Sequence, residues 1–509
     1  MRTRMGEGVR FGALSVCLAL AIAGRVRADE LSTAQRFETA KSDAPSLIAF
    51  LKAMPKGGDL HVHVGGAVYA ETALDNAIKQ GLFYDPATNR FTKDNAAGRV
   101  PAADLLKGEA GAYLSKFLDA VSMRGVQTGG ESGHDHFFNS FGIVGSAEVG
   151  LSDDDVNAEV IARAKAQNEQ YLELMSRFGP DEAYDLLSKL DDLNLPAVDN
   201  PAAALDKLMP ALDRLIPLCR TYLDAKDRLM ARRLGTPPPL SGAQGPITVR
   251  YIVAASRLAP DSSFFIRLAA GMALMQADKR VVGVNILAPE DHPFARTHFE
   301  TQMRLIDFLW NHFNHPNITL HAGELTLAIS PVEPMQSRIR RSIEVGHARR
   351  IGHGVSIAWE DDLPGLFREM KQKGVAVEIC LTSNAGILGV SGDQHPFNLY
   401  RKSGIPVSLN TDDEGINRSN LTMEFVRAVQ TYKLSYAEVK EMVRNSIEYS
   451  FLPGDSLFVG HDYHQMSPEF VGVQRPDWKP SAEAERLLTA SDKRRVQVRL
   501  EQAFAAFEN

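Results

Sequence analysis

The chain has 509 residues, of which 44% are hydrophobic and 23% are charged. This composition is typical of a soluble globular protein with a large core. The formal net charge is −7 at pH 7. An acidic chain disfavours nucleic acid or an anionic membrane surface as a partner.

The first 28 residues have the pattern of a secretory signal peptide. A basic stretch precedes an apolar run over residues 11–24, which is too short to span a bilayer. The segment 26–28 resembles the small-x-small cleavage pattern, so we expect cleavage after Ala28; an uncleaved anchor is the alternative. Cleavage removes five arginines and one glutamate and leaves a net charge of −11. We expect the mature protein in the periplasm, without membrane contact.

From residue 54 onward, short apolar segments alternate with amphipathic helical segments. The apolar segments are rich in Val, Ile and Leu without strict alternation, which is typical of strands covered on both faces. Eight strands are predicted, at residues 59–64, 170–176, 247–256, 280–288, 317–323, 349–354, 375–383 and 405–411. This repeat predicts an α/β fold, a (β/α)8 TIM barrel, within a domain over residues 29–480. A doubly wound sheet is the alternative, but no Gly-rich phosphate motif follows the first strand.

Helices and two insertions complete the predicted domain. One helix is predicted over residues 32–54, and one terminal helix over residues 481–509, packed on the outside of the barrel. The insertion 75–150 contains a polar, Gly-rich piece, and the insertion 180–245 is predicted to be helical up to a Pro/Gly-rich break near residue 236. The cysteines beyond the signal, Cys219 and Cys380, are predicted to be unpaired packing residues, with a disulfide between them in an oxidising compartment as the alternative.

Polar residues interrupt the predicted strands at one shared position, the C-terminal end. They are His61 and His63 on the first strand, His321 and Glu324 on the fifth, His353 on the sixth, and Asp412 and Asp413 after the eighth. In a closed barrel these ends meet at one mouth, where barrel enzymes carry their sites. A single strand histidine is more often a hydrogen-bonded core residue, but clusters on four strands indicate a shared site.

The two histidines of the first strand predict a metal site. Residues i and i+2 of a strand point to the same face, so His61 and His63 both face the mouth. His321 adds a third imidazole nitrogen and Asp412 adds an oxygen, a set that suits Zn²⁺ with space for one water. Such a metal would lower the pKa of its water toward neutrality.

Three further residues are predicted to act on the substrate. The turn in HAGE leaves Glu324 facing the mouth, where it could give a proton to a substrate atom. His353, between two glycines, could orient the metal water or take its proton. Asp413 could bond to the substrate, although an ordinary polar turn is the alternative for Asp412 and Asp413.

Five segments resemble the motifs of the adenosine deaminase family, in the same order. They are MPKGGDLHVHVGGA, LHAGE, RIGHG, CLTSN and HPFNLYRKSGIPVSLNTDDEG. The resemblance runs from about Met54 to about Pro453. The MPKG opening and the predicted signal also resemble the secreted, growth-factor-related branch.

This resemblance implies zinc-dependent hydrolysis of adenosine, and of 2′-deoxyadenosine, to inosine and ammonia. The residues that match the ligands of the single Zn²⁺ are His61, His63, His321 and Asp412. Glu324 matches the acid that protonates purine N1. His353 matches the residue that positions or deprotonates the zinc water. Asp413 matches the carboxylate that binds N7. The PCxxC ligands of cytidine deaminases are absent.

Two substrate-binding positions depart from the family pattern. Gly65 stands where the family usually has an aspartate that contacts the ribose 5′-hydroxyl. Ala288 stands where a glycine backbone approaches purine N3, and Pro289 next to it lacks a backbone donor. A 5′-modified nucleoside or another 6-aminopurine compound is therefore an alternative substrate. A non-catalytic secreted purine-binding protein is the alternative from another class.

Other polar residues are interpreted as structural or supporting. His134 and His136 form a second HxH in the polar insertion, where a lid that contacts the substrate is more plausible than a metal site. Glu378 either supports a metal ligand or makes an ordinary buried hydrogen bond. His347 and His395 are interpreted as structural. Ser383 and Asn384 could help to shape the mouth.

Overall fold

The structure, a computed structural model, describes residues 29–126, 131–191, 195–235 and 247–509. The predicted signal peptide and most of the predicted break near residue 236 lie outside these ranges. Within them, no helix combines the length and apolar character needed to cross a membrane. The described cysteines, Cys219 and Cys380, are both buried and free, which confirms that prediction.

The described part of the chain contains three sheets. Their strands are β1 (Gly58–His63), β2 (Phe83–Asp85), β3 (Arg90–Thr92), β4 (Val100–Pro101), β5 (Tyr171–Met175), β6 (Thr248–Ser256), β7 (Val281–Leu287), β8 (Thr319–Ala322), β9 (Arg350–His353), β10 (Ala376–Ile379) and β11 (Val407–Leu409). One four-stranded sheet has the order β1-β5-β6-β7, a second has the order β11-β10-β9-β8, and a small sheet has the order β3-β2-β4. All pairings within the two larger sheets are parallel. The predicted α/β class and all eight predicted strands are confirmed.

The two parallel sheets approach each other at both edges. Isolated parallel bridges join Val62 to Asp412 at one edge and Val284 to Ile318 at the other. At the first edge, the Asp412 amide donates to the His61 carbonyl at 2.9 Å, and the His63 amide donates to the Asp412 carbonyl at 3.1 Å. These bonds place the carboxyl ends of β1 and β11 side by side.

Helices separate successive parallel strands and cover the sheets. The longer ones are 29–40, Ala44–Ala53, Ala70–Lys79, Gly111–Ala120, Gly133–Ala147, Asp153–Ala166, Asp181–Asp191, Pro201–Arg233, Asp261–Ala277, Pro293–His312, Arg338–Glu344, Leu363–Lys373, Leu381–Leu388, Phe397–Lys402, Leu421–Tyr432, Tyr436–Glu448, Ala482–Ala490 and Asp492–Glu508. The apolar faces of most of these helices and the side chains of the parallel strands form one large buried cluster, as expected for strands covered by helices.

Both predicted terminal helices are interrupted, so the prediction of single helices was wrong. The first consists of helices 29–40 and Ala44–Ala53, because Asp43 caps the second by accepting from the Ser46 amide. The last consists of Ala482–Ala490 and Asp492–Glu508, because the Ser491 side chain accepts from the Arg494 amide and starts a new helix. In each case a polar side chain satisfies free backbone donors at a helix start.

The predicted strand 375–383 was too long. β10 ends at Ile379, and a helix begins two residues later, at Leu381. Ser383 and Asn384 therefore lie in the first turn of a helix that starts at the carboxyl end of β10. This position brings Asn384 to the predicted mouth.

The two insertions have different structures. The insertion 75–150 contains the small antiparallel sheet and two helices with a hydrophobic cluster of their own. The strands of that sheet have only two or three residues, too few to show an alternating pattern in the sequence. The insertion 180–245 contains the predicted helices, Asp181–Asp191 and Pro201–Arg233.

Candidate active site

The four predicted metal ligands lie together at the carboxyl ends of β1, β8 and β11. His61 Nε2 and His63 Nε2 each lie 3.0 Å from His321 Nε2. Asp412 Oδ1 lies 3.6 Å from His61 Nε2 and 3.3 Å from His63 Nε2. Ligand atoms about 2.1 Å from a tetrahedral Zn²⁺ are roughly 3.3 Å apart. The donor set therefore has the chemistry and the spacing of a metal site.

Two of these imidazoles are oriented by buried partners. His61 Nδ1 lies 2.7 Å from Glu378 Oε2, and His321 Nδ1 lies 3.1 Å from Asn285 Oδ1. Because a carboxylate and an amide oxygen only accept, each Nδ1 donates and each Nε2 keeps its lone pair for the cluster. Burial opposes ionisation of Glu378, but Arg350 and His61 lower its pKa to about 2. Glu378 therefore supports a predicted metal ligand.

His353 lies beside the cluster, and its ring centroid is 5.0 Å from that of His61. Its Nε2 is 3.9 Å from Asp412 Oδ2. By distance alone, a set of His61, His321, His353 and Asp412 could also hold a metal ion. The tautomer of His353 distinguishes the two sets.

A chain of hydrogen bonds determines where His353 carries its proton. The Phe397 amide donates to His395 Nδ1, so His395 carries its proton on Nε2 and donates to Asn384 Oδ1 at 3.1 Å. Asn384 Nδ2 then donates to His353 Nδ1 at 3.0 Å. Burial lowers the pKa of His353 to about 3 and that of His395 to about 4, so both rings are neutral.

His353 therefore presents an N–H to the cluster, whereas the rings of His61 and His321 present lone pairs. A protonated Nε2 is a hydrogen-bond donor and cannot bind a metal ion. This favours the set that contains His63, and it favours an orienting role for His353 over that of a base. Neither His395 nor Asn384 was predicted to act on the chemistry, because only the tertiary fold places residues 353, 384 and 395 in one chain of contacts.

Replacement of Asn384 by aspartate tests this hydrogen-bond chain. A carboxylate would present an acceptor to His353 Nδ1 and would move the ring proton from Nε2 to Nδ1. We expect kcat for adenosine to fall by roughly 100-fold or more, since a wrong histidine tautomer disables the groups it orients. Metal content is expected to stay at the wild-type level. An unchanged kcat would contradict the assigned tautomer.

Glu324 and Asp413 each present a buried carboxyl oxygen without a partner. Glu324 Oε1 and Asp413 Oδ1 have no hydrogen-bond partner among the described residues, and both side chains line the same cavity. Burial and the neighbouring Asp412 raise the pKa of both groups. A carboxyl group that keeps its proton can donate it to a ring nitrogen. Both positions therefore suit the predicted substrate contacts.

The turn that carries Glu324 is held from two sides. The Glu324 amide donates to Glu290 Oε2 at 2.9 Å, and Arg257 donates to the His321 carbonyl at 2.7 Å. Gly323 has a φ of 72°, a conformation that suits glycine, as the HAGE motif indicates. The turn therefore holds the predicted proton donor and a predicted metal ligand in a fixed relation.

Three non-glycine residues at strand ends also have positive φ. The values are 87° for Ala288, 66° for His353 and 61° for Asp412. Such conformations cost about 1–3 kcal/mol each and cluster at functional sites. At Ala288 the backbone has the conformation of a glycine, which agrees with the glycine usual at this position in the family that the sequence resembles.

The site forms the floor of a cavity of about 760 Å³. One wall consists of Phe137, Phe138 and Phe141, from the helix Gly133–Ala147 of the first insertion. These rings were not predicted individually, although the insertion was interpreted as a lid. The signal was present in the three phenylalanines of HFFNSF, but nothing in the sequence shows which wall a helix will face.

The second HxH motif lies on the same helix and away from the metal cluster. His134 Nε2 contacts Asp291 Oδ1 at 3.1 Å, and His136 Nε2 donates to backbone carbonyls at 3.0 Å. In the described ranges, neither belongs to a group that could hold a metal ion. His134 connects the insertion to the loop after β7, which carries Ala288.

The glycines after β1 have different surroundings. A Cβ added at Gly65 would meet no atom within 4 Å, whereas one at Gly66 would lie 1.6 Å from Asp413 Oδ1. Gly65 lines the cavity, and the space beside its Cα is open. Gly66 instead provides the room in which Asp413 lies.

Replacement of Gly66 by alanine is therefore expected to displace Asp413. We expect kcat/KM for adenosine to fall by roughly 100-fold, because a misplaced substrate group is costly even at a distance of 1 Å. The matched change, Gly65→Ala, has free space and is expected to cost less than about threefold. Steady-state kinetics of both variants, with thermal melts to confirm folding, check this prediction. Equal losses in the two variants would contradict it.

Comparisons with known proteins agree with this geometry. Residues 240–457 match the family model described as adenosine deaminase. An adenosine deaminase of Clostridium perfringens is 35% identical over 135 residues, which are 26% of this chain and 37% of the relative. One of Mycobacterium ulcerans is 29% identical over 247 residues, 46% of this chain and 62% of the relative. The chain thus aligns with less than two thirds of the length of these relatives.

Solved structures with a similar fold cover more of the chain. Arabidopsis ADAL in complex with GMP has a TM-score of 0.52 at 19% identity and covers 79% of this chain and 94% of its own. A cog1816 amidohydrolase from Burkholderia ambifaria with bound Zn has a TM-score of 0.50 at 19% identity, and it covers 80% and 88%. At this identity, the likeness shows a shared fold.

The matched segment 240–457 contains His321, Glu324, His353 and Asp412, but not the two histidines of β1. His61 and His63 lie outside this segment, and the folded structure places them beside His321. The chain therefore shares an α/β fold with deaminase and amidohydrolase structures, and its residues 240–457 are similar to the adenosine deaminase family.

Proposed function

We propose that the protein is a zinc-dependent deaminase that hydrolyses adenosine and 2′-deoxyadenosine to inosine, or 2′-deoxyinosine, and ammonia. One observation carries the proposal: three imidazole nitrogens and one carboxylate converge on the floor of a cavity, beside the carboxyl groups of Glu324 and Asp413, whose pKa values are raised by burial. The similarity of residues 240–457 to adenosine deaminases supports the same reaction.

In this proposal, His61, His63, His321 and Asp412 hold one Zn²⁺, which supplies an acidified water as the nucleophile. The donor set and its spacing support zinc over harder cations, because imidazole suits borderline metals.

The remaining groups act on the purine and on the attacking water. Glu324 gives its proton to N1 as the C6–O bond forms, Asp413 hydrogen-bonds N7, and the N–H of His353 orients the oxygen that attacks C6. One proton of the attacking water passes to the amino nitrogen, so the C6–N bond breaks and ammonia leaves, and the other proton returns to Glu324. Burial of Glu324 supports its role, because it favours the protonated carboxyl.

We also propose that the two parallel sheets form one closed (β/α)8 barrel within residues 29–480. The isolated bridges at both sheet edges and the fold shared with amidohydrolase structures support this closure. The C-terminal segment 481–509 then packs on its outside. In such a barrel the mouth at the carboxyl ends of the strands is the usual site of catalysis.

We further propose that residues 1–28 direct export to the periplasm. The basic stretch and the short apolar run of this segment support the proposal. Cell fractionation of the full chain, together with N-terminal sequencing of the mature protein, tests it. A cytoplasmic product that keeps residues 1–28 would contradict it.

A substrate panel tests the reaction. Adenosine, 2′-deoxyadenosine, 5′-modified adenosines and free adenine are each incubated with zinc-loaded protein, and ammonia release is measured. We expect adenosine and 2′-deoxyadenosine to react. Because Gly65 removes a carboxylate from the cavity wall, a 5′-modified nucleoside is the second candidate substrate. Tight purine binding without ammonia release would favour a binding protein and contradict the proposed reaction.

A further inference from the structure

We infer that the cavity binds the phosphate of adenosine 5′-monophosphate through Arg267, so that nucleotides are substrates in addition to nucleosides. This inference rests on the proposed deamination at the same floor. It concerns the part of the cavity beyond the metal cluster, which no step of that chemistry uses.

Arg267 is the unusual group in this part of the cavity. It lines the cavity from the helix Asp261–Ala277, and its Nη1 is buried without a hydrogen-bond partner among the described residues. Its guanidinium carbon lies 4.9 Å from the ring centroid of Tyr184 and 5.4 Å from that of Phe178. Two aromatic rings thus hold the guanidinium group, while one of its nitrogens has no protein partner in the described ranges.

The carboxylates that line this part of the cavity are already engaged or favour the neutral form. Asp153 accepts from buried Lys226 at 2.5 Å and from the Tyr222 hydroxyl at 2.9 Å. Burial raises the pKa of Glu148 to about 7. Neither carboxylate forms an ion pair with Arg267 among the described residues, and the buried, unpartnered Nη1 of Arg267 favours an anionic ligand.

The orientation of the purine places its ribose in the rest of the cavity, which Arg267 also lines. When N1 and C6 face Glu324 and the metal cluster, N9 and its ribose lie at the opposite end of the purine and extend into the rest of the cavity. A volume of about 760 Å³ is near the upper end of small-molecule sites and leaves room beyond a nucleoside. A guanidinium group is the side chain best suited to a phosphate at that place.

Gly65 adds an independent observation. His63 pairs with Met175 where β1 and β5 run side by side. Gly65 lies two residues after His63, and Arg177 lies two residues after Met175. Both line the cavity. A carboxylate at position 65 would repel a phosphate, and this chain has none there, although the site has space for one.

Equilibrium binding of the products tests the inference without turnover. The affinities of inosine and inosine 5′-monophosphate are measured by calorimetry for the zinc-loaded wild type and for Arg267→Met. We expect the monophosphate to bind the wild type roughly 10- to 100-fold more tightly than inosine, and this ratio to fall toward one in Arg267→Met. Arg304→Met removes an exposed charge from another helix and is expected to keep the wild-type ratio.

Two further variants keep the test decisive if Arg267→Met folds poorly. Arg267→Lys keeps the charge and is expected to retain part of the preference, and Gly65→Asp is expected to lower it. Inosine with added inorganic phosphate distinguishes an ester phosphate from a free one, since only the ester is expected to show the preference.

The outcomes separate this inference from the proposed reaction. A wild type that binds both products equally, or an Arg267→Met variant with an unchanged ratio, would overturn the phosphate subsite. Absence of ammonia release from both adenosine and its monophosphate would overturn the reaction, even if the affinity ratio behaves as expected.

Discussion

Replacement of Glu324 by glutamine is expected to lower kcat for adenosine by roughly 10³-fold while the metal stays bound. Glutamine keeps the size of the side chain and removes the proton that the carboxyl gives to N1. Because Glu324 is not among the four predicted ligands, zinc content measured by atomic absorption is expected to match the wild type. The steady-state rate of ammonia release gives kcat.

The matched control for this change is Glu333→Gln, at an exposed glutamate in a short helix downstream of the HAGE turn. It alters the same functional group and is expected to leave kcat within about twofold. If Glu324→Gln retains wild-type turnover, the proposed proton donor is wrong. If it loses its metal, the ligand set must be revised.

The same residue has a consequence for the pH profile. Burial and Asp412 raise the pKa of Glu324, and only the protonated carboxyl can donate. Activity that depends on this donor is therefore present below the folded pKa of Glu324 and is lost as the pH rises through it. We expect an alkaline limb in kcat of the wild type, and a residual rate in Glu324→Gln that lacks it. The profile of kcat against pH measures both.

Replacement of His321 by alanine is expected to abolish both activity and stoichiometric metal binding. His321 Nε2 lies 3.0 Å from the Nε2 atoms of both His61 and His63. Its loss removes the donor that lies next to both of the other imidazoles. We expect zinc content to fall from one equivalent to below about a tenth, and ammonia release to fall to the background rate. Equilibrium dialysis followed by metal analysis measures the first effect.

Two variants provide a graded comparison for His321→Ala. Glu378→Gln keeps all four ligands, weakens the partner of His61 and removes the charge that pairs with Arg350. We expect a loss of roughly 10- to 100-fold in metal affinity, with a thermal melt to confirm folding. His347→Ala removes an imidazole that stacks on Trp310 at 3.7 Å, away from the cavity, and is expected to retain full zinc content. One full equivalent of zinc in His321→Ala would contradict the proposed ligand set.

The sequence predicted the strands and the metal set because both depend on local spacing. The i, i+2 relation of His61 and His63 follows from strand geometry, and strand ends of a parallel sheet lie at one edge. The contacts that depend on side-chain direction could not be predicted in this way. Two examples are the hydrogen bond from Asn384 Nδ2 to His353 Nδ1 and the buried Nη1 of Arg267, which lacks a partner among the described residues. Both arise only when segments remote in sequence pack together.

The errors in the predicted elements have a similar origin. The breaks at Asp43 and Ser491 lie within helical patterns that continue on both sides, so a single capping side chain decides the boundary. The helix that starts at Leu381 follows β10 after one residue, and its apolar start reads as a continued strand. In both cases one or two local residues set the boundary of the element, and hydrophobic periodicity does not predict such a boundary.

If the proposed zinc site is correct, the edge where β1 meets β11 couples metal binding to folding. Asp412 pairs with Val62 across this edge, and the ligands on its two sides come from different sheets and are separated by about 350 residues of chain. An ion bound there acts as a cross-link between the first and last strands of the domain. By linkage, each tenfold rise in free zinc above Kd adds about 1.4 kcal/mol to the free energy of unfolding. The melting temperature of the protein is therefore expected to rise with the free zinc concentration in the buffer.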